Sequence, residues 1–212
     1  MGARIAQIRG TVNAGLARIP PWSIYLVAVG TAAWLFWAAT TGALGPDPVD
    51  ALTSTSGSWT IWLLVAGLWI GPLQKRFGLR LVRLRRAVGL SAFLFAALHV
   101  ATWSVFDQGL DLDSIVRSLT TKPFLIVGAI TFLALIPLAI TSNNRTLRAM
   151  GPHRWRRLHL LVHPIMALGL AHWAIGTKVW ETGTIAAIVL VCIAWALRWA
   201  WPEAKAPARA GA

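Results

Sequence analysis

The chain contains six long apolar runs separated by short polar segments. These runs are about 16–20 residues long, and about 20 apolar residues are needed for a helix to cross the hydrocarbon core of a bilayer. A helix satisfies its backbone N–H and C=O groups internally, as lipid surroundings demand. The sequence therefore predicts an all-α integral membrane protein, a bundle of six transmembrane helices near residues 22–40, 58–73, 87–106, 123–141, 155–175 and 183–201.

The charged residues divide unequally between the two sides of these runs. Of the 20 Lys and Arg residues, 17 lie on one side: 3 in the N-terminal segment, 6 in 75–86, 5 in 145–157 and 3 from Arg198 onward; the other 3 are Arg117, Lys122 and Lys178. Because cytoplasmic loops are enriched in Lys and Arg, both termini are predicted to be cytoplasmic. The expected domains are a basic N-terminal segment (1–21), a six-helix transmembrane domain (22–201) and a short cytoplasmic tail (202–212).

The composition excludes several classes of function. The net charge of +13 would suggest nucleic-acid binding in a soluble protein, but here the basic residues lie between apolar runs, where membrane orientation explains them. Cys192 is the single cysteine, so neither an intrachain disulfide nor a multi-thiolate metal site is available. The chain has no Gly-x-Gly-x-x-Gly, Walker A or Cys-x-x-Cys motif. Electrons for a redox role would therefore come from a quinone or a separate protein.

Two prolines lie inside predicted spans, Pro137 in the fourth and Pro164 in the fifth. Proline removes an intrahelical hydrogen bond and clashes with the preceding turn. Each of the two helices is therefore expected to kink.

Many of the 13 tryptophans lie close to the predicted span ends, Trp155 among them. Tryptophan is enriched at membrane–water interfaces, so an interfacial belt is the main interpretation. Packing of one or two tryptophans against a cofactor is the alternative.

Histidines within membrane spans are the strongest functional signal, because ionisable residues are rare in hydrocarbon. His99 lies 13 residues beyond Arg86, and His172 lies 15 beyond Arg157. At 1.5 Å per residue these separations are about 20 Å and about 22 Å along two helices that run in the same direction. The two imidazoles are therefore expected at similar depth in the outer half of the membrane, where both could serve as axial ligands of one haem iron.

The sequence is less specific about iron ligands in the inner half of the membrane. His159 lies 13 residues before His172, which would separate two stacked haem irons by about 20 Å but place the two side chains about 140° apart on an ideal helix. The third span has Arg85 and Arg86 at this depth rather than a histidine. Three interpretations of His163 stay open. It is the inner iron ligand, or it neighbours a haem propionate or a quinone, or it is a buried structural histidine.

Six segments of the chain resemble the MsrQ (YedZ) family, which belongs to the ferric-reductase-like transmembrane superfamily. They include GALGPDPVD, RLRRAVGLSAFLFAALH and MGPHRWRRLH, and together they span most of the chain in the family's order at residues 42–50, 83–99, 121–128, 140–144, 150–159 and 170–173.

The resemblance implies a multi-pass protein of the bacterial inner membrane that binds one or two b-type haems. Their iron ligands match His99, His159 and His172, whereas His163 is an addition to the family pattern. An associated FMN is also implied. Electrons would come from the quinone pool or a flavin reductase and pass to a periplasmic molybdenum-cofactor subunit, MsrP, which reduces methionine sulfoxide in oxidised proteins.

The predicted function is therefore electron transfer across the membrane, with sulfoxide reduction in the partner and no catalytic residue in this chain. One alternative is a stand-alone ferric reductase that acts without a partner. A different class, a proton- or metal-coupled transporter, would use the histidines as ion ligands, although no internal repeat of the kind seen in many transporters is visible.

Overall fold

A computed structural model describes residues 2–177 and 180–200. Within these residues the secondary structure is helical, with a 3-10 turn at Val82–Leu84 and a π-helical turn at Trp103–Asp107. The α-helices are α1 (Gly2–Arg18), α2 (Pro21–Thr40), α3 (Pro48–Phe77), α4 (Arg85–Thr102), α5 (Leu112–Thr121), α6 (Pro123–Ile140), α7 (Asn144–His159), α8 (Val162–Gly176) and α9 (Thr182–Ala200).

Five helical segments in the described part of the chain are long and apolar enough to span a membrane: α2, α3, Val82–Asp107, α6 and Asn144–Gly176. They contain the first five predicted spans, and α2 and α6 agree with their predicted bounds to within a residue. The apolar part of α9, Thr182–Arg198, is shorter. A sixth span and cytoplasmic termini therefore stay predictions, and the tail 202–212 lies outside the described residues.

The second span is much longer than the predicted 58–73. Asp47 caps α3 by accepting a hydrogen bond from the Asp50 N–H at 3.1 Å, and Pro48 takes the first helical position, which suits proline. The polar stretch that follows is also helical, and its hydroxyls are satisfied by carbonyls one turn earlier, as Ser56 Oγ is by Leu52 O at 2.7 Å. The predicted end at Gly71–Pro72 was wrong, since the helix continues to a left-handed cap at Gly78.

The fifth predicted span passes from α7 into α8, and the regular α-helix is interrupted just before Pro164, where a kink was predicted. α7 ends at His159, α8 begins at Val162, and the joint falls at residues 160–161. The cause is Pro164, which has no N–H to donate to the Leu160 carbonyl one turn earlier. The His163 N–H bonds to that carbonyl instead at 3.1 Å, which tightens the turn. Pro137 lies inside α6, and the helix continues past it.

The helices α3 and α4 form the centre of the bundle. On one side they share a buried cluster with α6, α8 and α9, in which Ala92, Met166 and Val191 are fully buried. On the other side Phe95 packs with Leu35 and Leu52. Because α4 is fixed on both sides, the position of His99 in its last turn is well determined.

The bundle has two chemically distinct ends. The described carboxylates lie at the start of α3, between α4 and α6, or just before α9; they are those of Asp47, Asp50, Asp107, Asp111, Asp113 and Glu181. We call this the acidic end. The opposite end, which carries α1, the 78–84 loop and α7, is the basic end.

Candidate haem site

Two imidazoles from different helices meet near the acidic end. His99 is on α4 and His172 is on α8, and their ring centroids are 6.1 Å apart with ring planes at 83°. Both side chains are partly buried. The structure therefore brings together the two histidines that helix depth alone had matched.

Each of these rings is hydrogen-bonded to a backbone carbonyl of another helix, His99 to α3 and His172 to α6. His99 Nδ1 donates to Thr53 O of α3 at 2.7 Å, and His172 Nδ1 donates to Phe124 O of α6 at 2.7 Å. A carbonyl only accepts, so the proton of each neutral ring lies on Nδ1. The Nε2 lone pairs are consequently available to a metal, and the second bond sets the ring orientation.

A glycine faces each imidazole one helical turn beyond the carbonyl it binds. A Cβ added to Gly57 would lie 3.0 Å from His99 Nδ1, and one added to Gly128 would lie 2.7 Å from His172 Nδ1. The same device, a carbonyl at position i and glycine at i+4, thus occurs on α3 and on α6. It lets both rings approach the helix backbone closely enough to hydrogen-bond.

The spacing of the pair fits one bound iron. With metal–nitrogen bonds of about 2 Å, two imidazoles on opposite sides of one metal have ring centroids about 6 Å apart. The observed 6.1 Å matches this value. Two neutral imidazole donors suit a haem iron, which takes its other four bonds from the porphyrin.

His159, at the basic end, has different partners. Its ring stacks on Trp155 with centroids 3.8 Å apart, and its Nε2 lies 3.0 Å from Thr141 Oγ1. The Thr141 hydroxyl donates to Pro137 O at 2.6 Å, so its oxygen accepts the His159 Nε2–H. Among the ring contacts of the described residues, none joins His159 to another imidazole.

His163 is fixed by α9. Trp195 Nε1 donates to His163 Nδ1 at 3.0 Å, which places the proton of a neutral ring on Nε2. This is the opposite tautomer to that of His99 and His172. While the bond to Trp195 persists, His163 does not present Nε2 as a metal ligand.

The arginines at the basic end lie where a second inner imidazole would be needed. The positive charge of Arg85 acts on both His159 and His163. Arg86 Nη2 donates to Asn144 Oδ1 at 2.8 Å, which ties α4 to the start of α7. His153 is exposed on α7. No group of three or more His, Cys, Asp or Glu side chains that could hold a metal ion occurs among residues 2–177 and 180–200.

The chain is similar to known membrane proteins over most of its length. The family described as ferric reductase like transmembrane component matches residues 56–170, which is more than half of the chain. A relative from Brucella anthropi is 38% identical over 189 residues, covering 88% of this chain and 84% of its own length. Relatives from Brucella ovis and Brucella canis are each 36% identical, covering 88% of this chain and 86% of their own lengths.

All three relatives carry the name protein-methionine-sulfoxide reductase heme-binding subunit MsrQ. The chain therefore belongs to the ferric-reductase-like transmembrane family and, within it, to the MsrQ family.

The hydrogen bonds predict the tautomer of each ring in the metal-free protein. At alkaline pH, where the imidazoles are neutral, His99 and His172 are expected to carry the proton on Nδ1 and His163 on Nε2. Nitrogen NMR of histidine-labelled protein in detergent distinguishes the two forms, and single His→Gln variants assign the signals. Trp195→Phe should abolish the preference of His163 alone. A His163 signal of the Nδ1–H form would contradict the assignment.

Proposed function

We propose that this chain is a haem b-binding electron-transfer subunit of the bacterial inner membrane. It takes electrons from the quinone pool or from a flavin reductase. It passes them to a periplasmic molybdenum-cofactor subunit of the MsrP kind, which reduces methionine sulfoxide in oxidised proteins. The printed name of the MsrQ relatives supports the cofactor and the sulfoxide reductase system.

The observation that carries the proposal is the crossed pair of His99 and His172. Both rings are oriented by bonds that leave Nε2 available, and their separation of 6.1 Å suits a single iron. A proton-coupled transporter would not need two imidazoles fixed in the metal-ligating tautomer, and a metal-coupled transporter would bind no haem. Haem, when bound, supplies a one-electron carrier that these side chains lack.

The residues around the pair would hold and tune the iron. His99 and His172 are the ligands, and the Thr53 and Phe124 carbonyls raise the basicity of the imidazoles by accepting their Nδ1–H bonds. More basic ligands favour the ferric state, which lowers the reduction potential. Gly57 and Gly128 keep the space that these bonds require.

His159 is the better candidate for a second haem at the basic end. To bind iron through Nε2, it would give up its Thr141 bond and move its proton to Nδ1. His163 would likewise have to give up its Trp195 bond and move its proton. Because His159 matches the family pattern and His163 is an addition to it, we assign His163 to positioning. Trp155, stacked on His159, would then lie against the iron ligand rather than serve only as an interfacial anchor.

Electron supply from outside the chain is consistent with its architecture. Nicotinamide cofactors are commonly bound at a Gly-rich strand-to-helix turn, and no strand occurs in the described residues. The donor is therefore a membrane quinol or a flavin carried by another protein. The FMN implied by the family belongs to the same proposal, and fluorescence of the supernatant after heat release from purified protein would detect it.

Visible difference spectroscopy of the detergent-purified protein tests the proposal. The reduced-minus-oxidised spectrum is expected to show a sharp b-type α-band that is lost or strongly diminished in His99→Ala and in His172→Ala. His153→Ala is the matched control, because this histidine is exposed and lies far along the chain from the pair. Wild-type protein that is colourless despite adequate haem supply would overturn the proposal and favour a transporter.

Reoxidation then separates the two redox alternatives. The reduced protein should be reoxidised by an MsrP-type subunit in the presence of a methionine sulfoxide substrate, and slowly by the sulfoxide alone. Rapid reoxidation by chelated ferric iron, with no response to the partner subunit, would identify a stand-alone ferric reductase.

The glycines predict a second, finer effect. Gly57→Ala and Gly128→Ala should each push an imidazole from its carbonyl, and loss of such an outer-shell bond lowers metal affinity by about 10–100-fold. Haem titration into the purified apoprotein measures this change. Gly128→Ala should be more damaging, because its added Cβ would lie 2.7 Å from the ring.

Gly30→Ala is the matched control for this titration. Gly30 is also a helical glycine within a span, and a Cβ added there meets nothing within 4 Å. Haem affinity in this variant should equal that of the wild type. Equal affinities in all three alanine variants would show that the close approach of the rings to the helices does not matter.

A further inference from the structure

The N-terminal helix α1 has an apolar stripe that the rest of the bundle does not cover. At 100° per residue, Ile5, Ile8, Val12 and Leu16 fall within an arc of about 80°. The exposed fractions of Ile5, Ile8 and Val12 are 60%, 57% and 42%. Such a stripe on one face of a helix is typical of burial against an apolar phase.

α1 is nevertheless fastened to the bundle by polar contacts. The Asn13 amide bonds twice to the 78–84 loop, donating to Gly78 O at 3.0 Å and accepting from the Arg80 N–H at 2.9 Å. Arg83 Nη2 donates to the carbonyls of Leu16, at 2.8 Å, and Ile19 at the end of α1. The helix is therefore held at a fixed place at the basic end.

The contacts and the stripe lie on different sides of α1. Asn13 is about 100° from the centre of the stripe around the helix axis. Docking through Asn13 thus leaves the stripe facing sideways, away from the loop that holds it. The arrangement fixes the helix without burying its apolar side chains.

The helix that follows α1 directly along the chain, α2, has an exposed apolar surface. Only residues 19 and 20 separate α1 from α2, which begins at Pro21 and is long and apolar enough to span a membrane. The first turns of α2 expose Trp22 and Leu26. The apolar stripe of α1 is therefore continuous along the chain with a surface that faces lipid.

The charge around α1 is of one sign. Arg4, Arg9 and Arg18 lie on α1, and Arg80 and Arg83 lie in the loop that binds it. The described carboxylates are all at the acidic end. Arg4 and Arg18 lie about 80° and 120° from the centre of the stripe. An anionic lipid headgroup complements this arrangement, with acyl chains against the stripe and phosphates beside the arginines.

We propose that α1 is an interfacial helix that inserts Ile5, Ile8 and Val12 into the leaflet at the basic end and binds its anionic headgroups through Arg4 and Arg18. Lipid, rather than a second copy of the chain or a partner protein, is the occupant because α1 leads directly into a helix long and apolar enough to span the membrane and is surrounded by arginines. The proposal does not depend on the identity of the electron donor or acceptor.

Depth-dependent fluorescence quenching tests this proposal on the full chain reconstituted into vesicles. With Cys192→Ala as background, an environment-sensitive fluorophore is attached at Ile8→Cys or at Ala14→Cys. Ala14 is exposed and lies about 160° from the centre of the stripe. Phospholipids with brominated acyl chains should quench the probe at position 8 several-fold more than the probe at position 14.

Varying the lipid composition of the vesicles provides a second test. Quenching at position 8 should be stronger in phosphatidylcholine vesicles that contain phosphatidylglycerol than in phosphatidylcholine alone. Arg4→Gln combined with Arg18→Gln should remove that difference, while circular dichroism checks that the protein remains helical. Equal quenching at the two positions, or no response to phosphatidylglycerol, would overturn the proposal. Energy transfer between labelled copies without bromolipid quenching would overturn it in favour of self-association.

Discussion

The structure depends most on two hydrogen bonds between an imidazole and a backbone carbonyl. A polar ring in a membrane span must be satisfied by protein, because lipid offers no partner. Here His99 is satisfied by α3 and His172 by α6, so one bond ties α4 to α3 and the other ties α8 to α6. The same bonds leave Nε2 available to metal. The same hydrogen bond thus satisfies the ring within the membrane and orients it to bind a metal.

Much of the fold followed from hydropathy and charge because both report directly on the bilayer. The apolar runs of α2 and α6 end at turn residues, and their bounds were predicted to within a residue. The length of α3 was missed because its first turns read as polar, although Ser56 and Thr60 hide their hydroxyls on nearby carbonyls. The break before Pro164 was predicted as a kink, since the sequence shows the missing N–H but not how the turn repairs it.

The site was predictable in part for a similar reason. Depth along two helices of the same direction matched His99 with His172, but only packing could show which carbonyls and glycines surround them. Gly128 lies inside a predicted span and Gly57 just before one, which is a weak signal that many glycines share. Trp155 was interpreted mainly as an interfacial anchor, and its stack on His159 is a contact that this interpretation did not include. Such contacts depend on side-chain direction, which the linear pattern does not contain.

Electron paramagnetic resonance of the ferric protein tests the central claim most directly, namely that His99 and His172 together ligate one iron. Their ring planes cross at 83°. Crossed axial imidazoles give low-spin iron a highly anisotropic signal dominated by one low-field feature, whereas parallel rings give three resolved features. The account predicts the anisotropic signal, and its loss in both His99→Ala and His172→Ala. A high-spin signal, or a low-spin signal that survives either substitution unchanged, would contradict it.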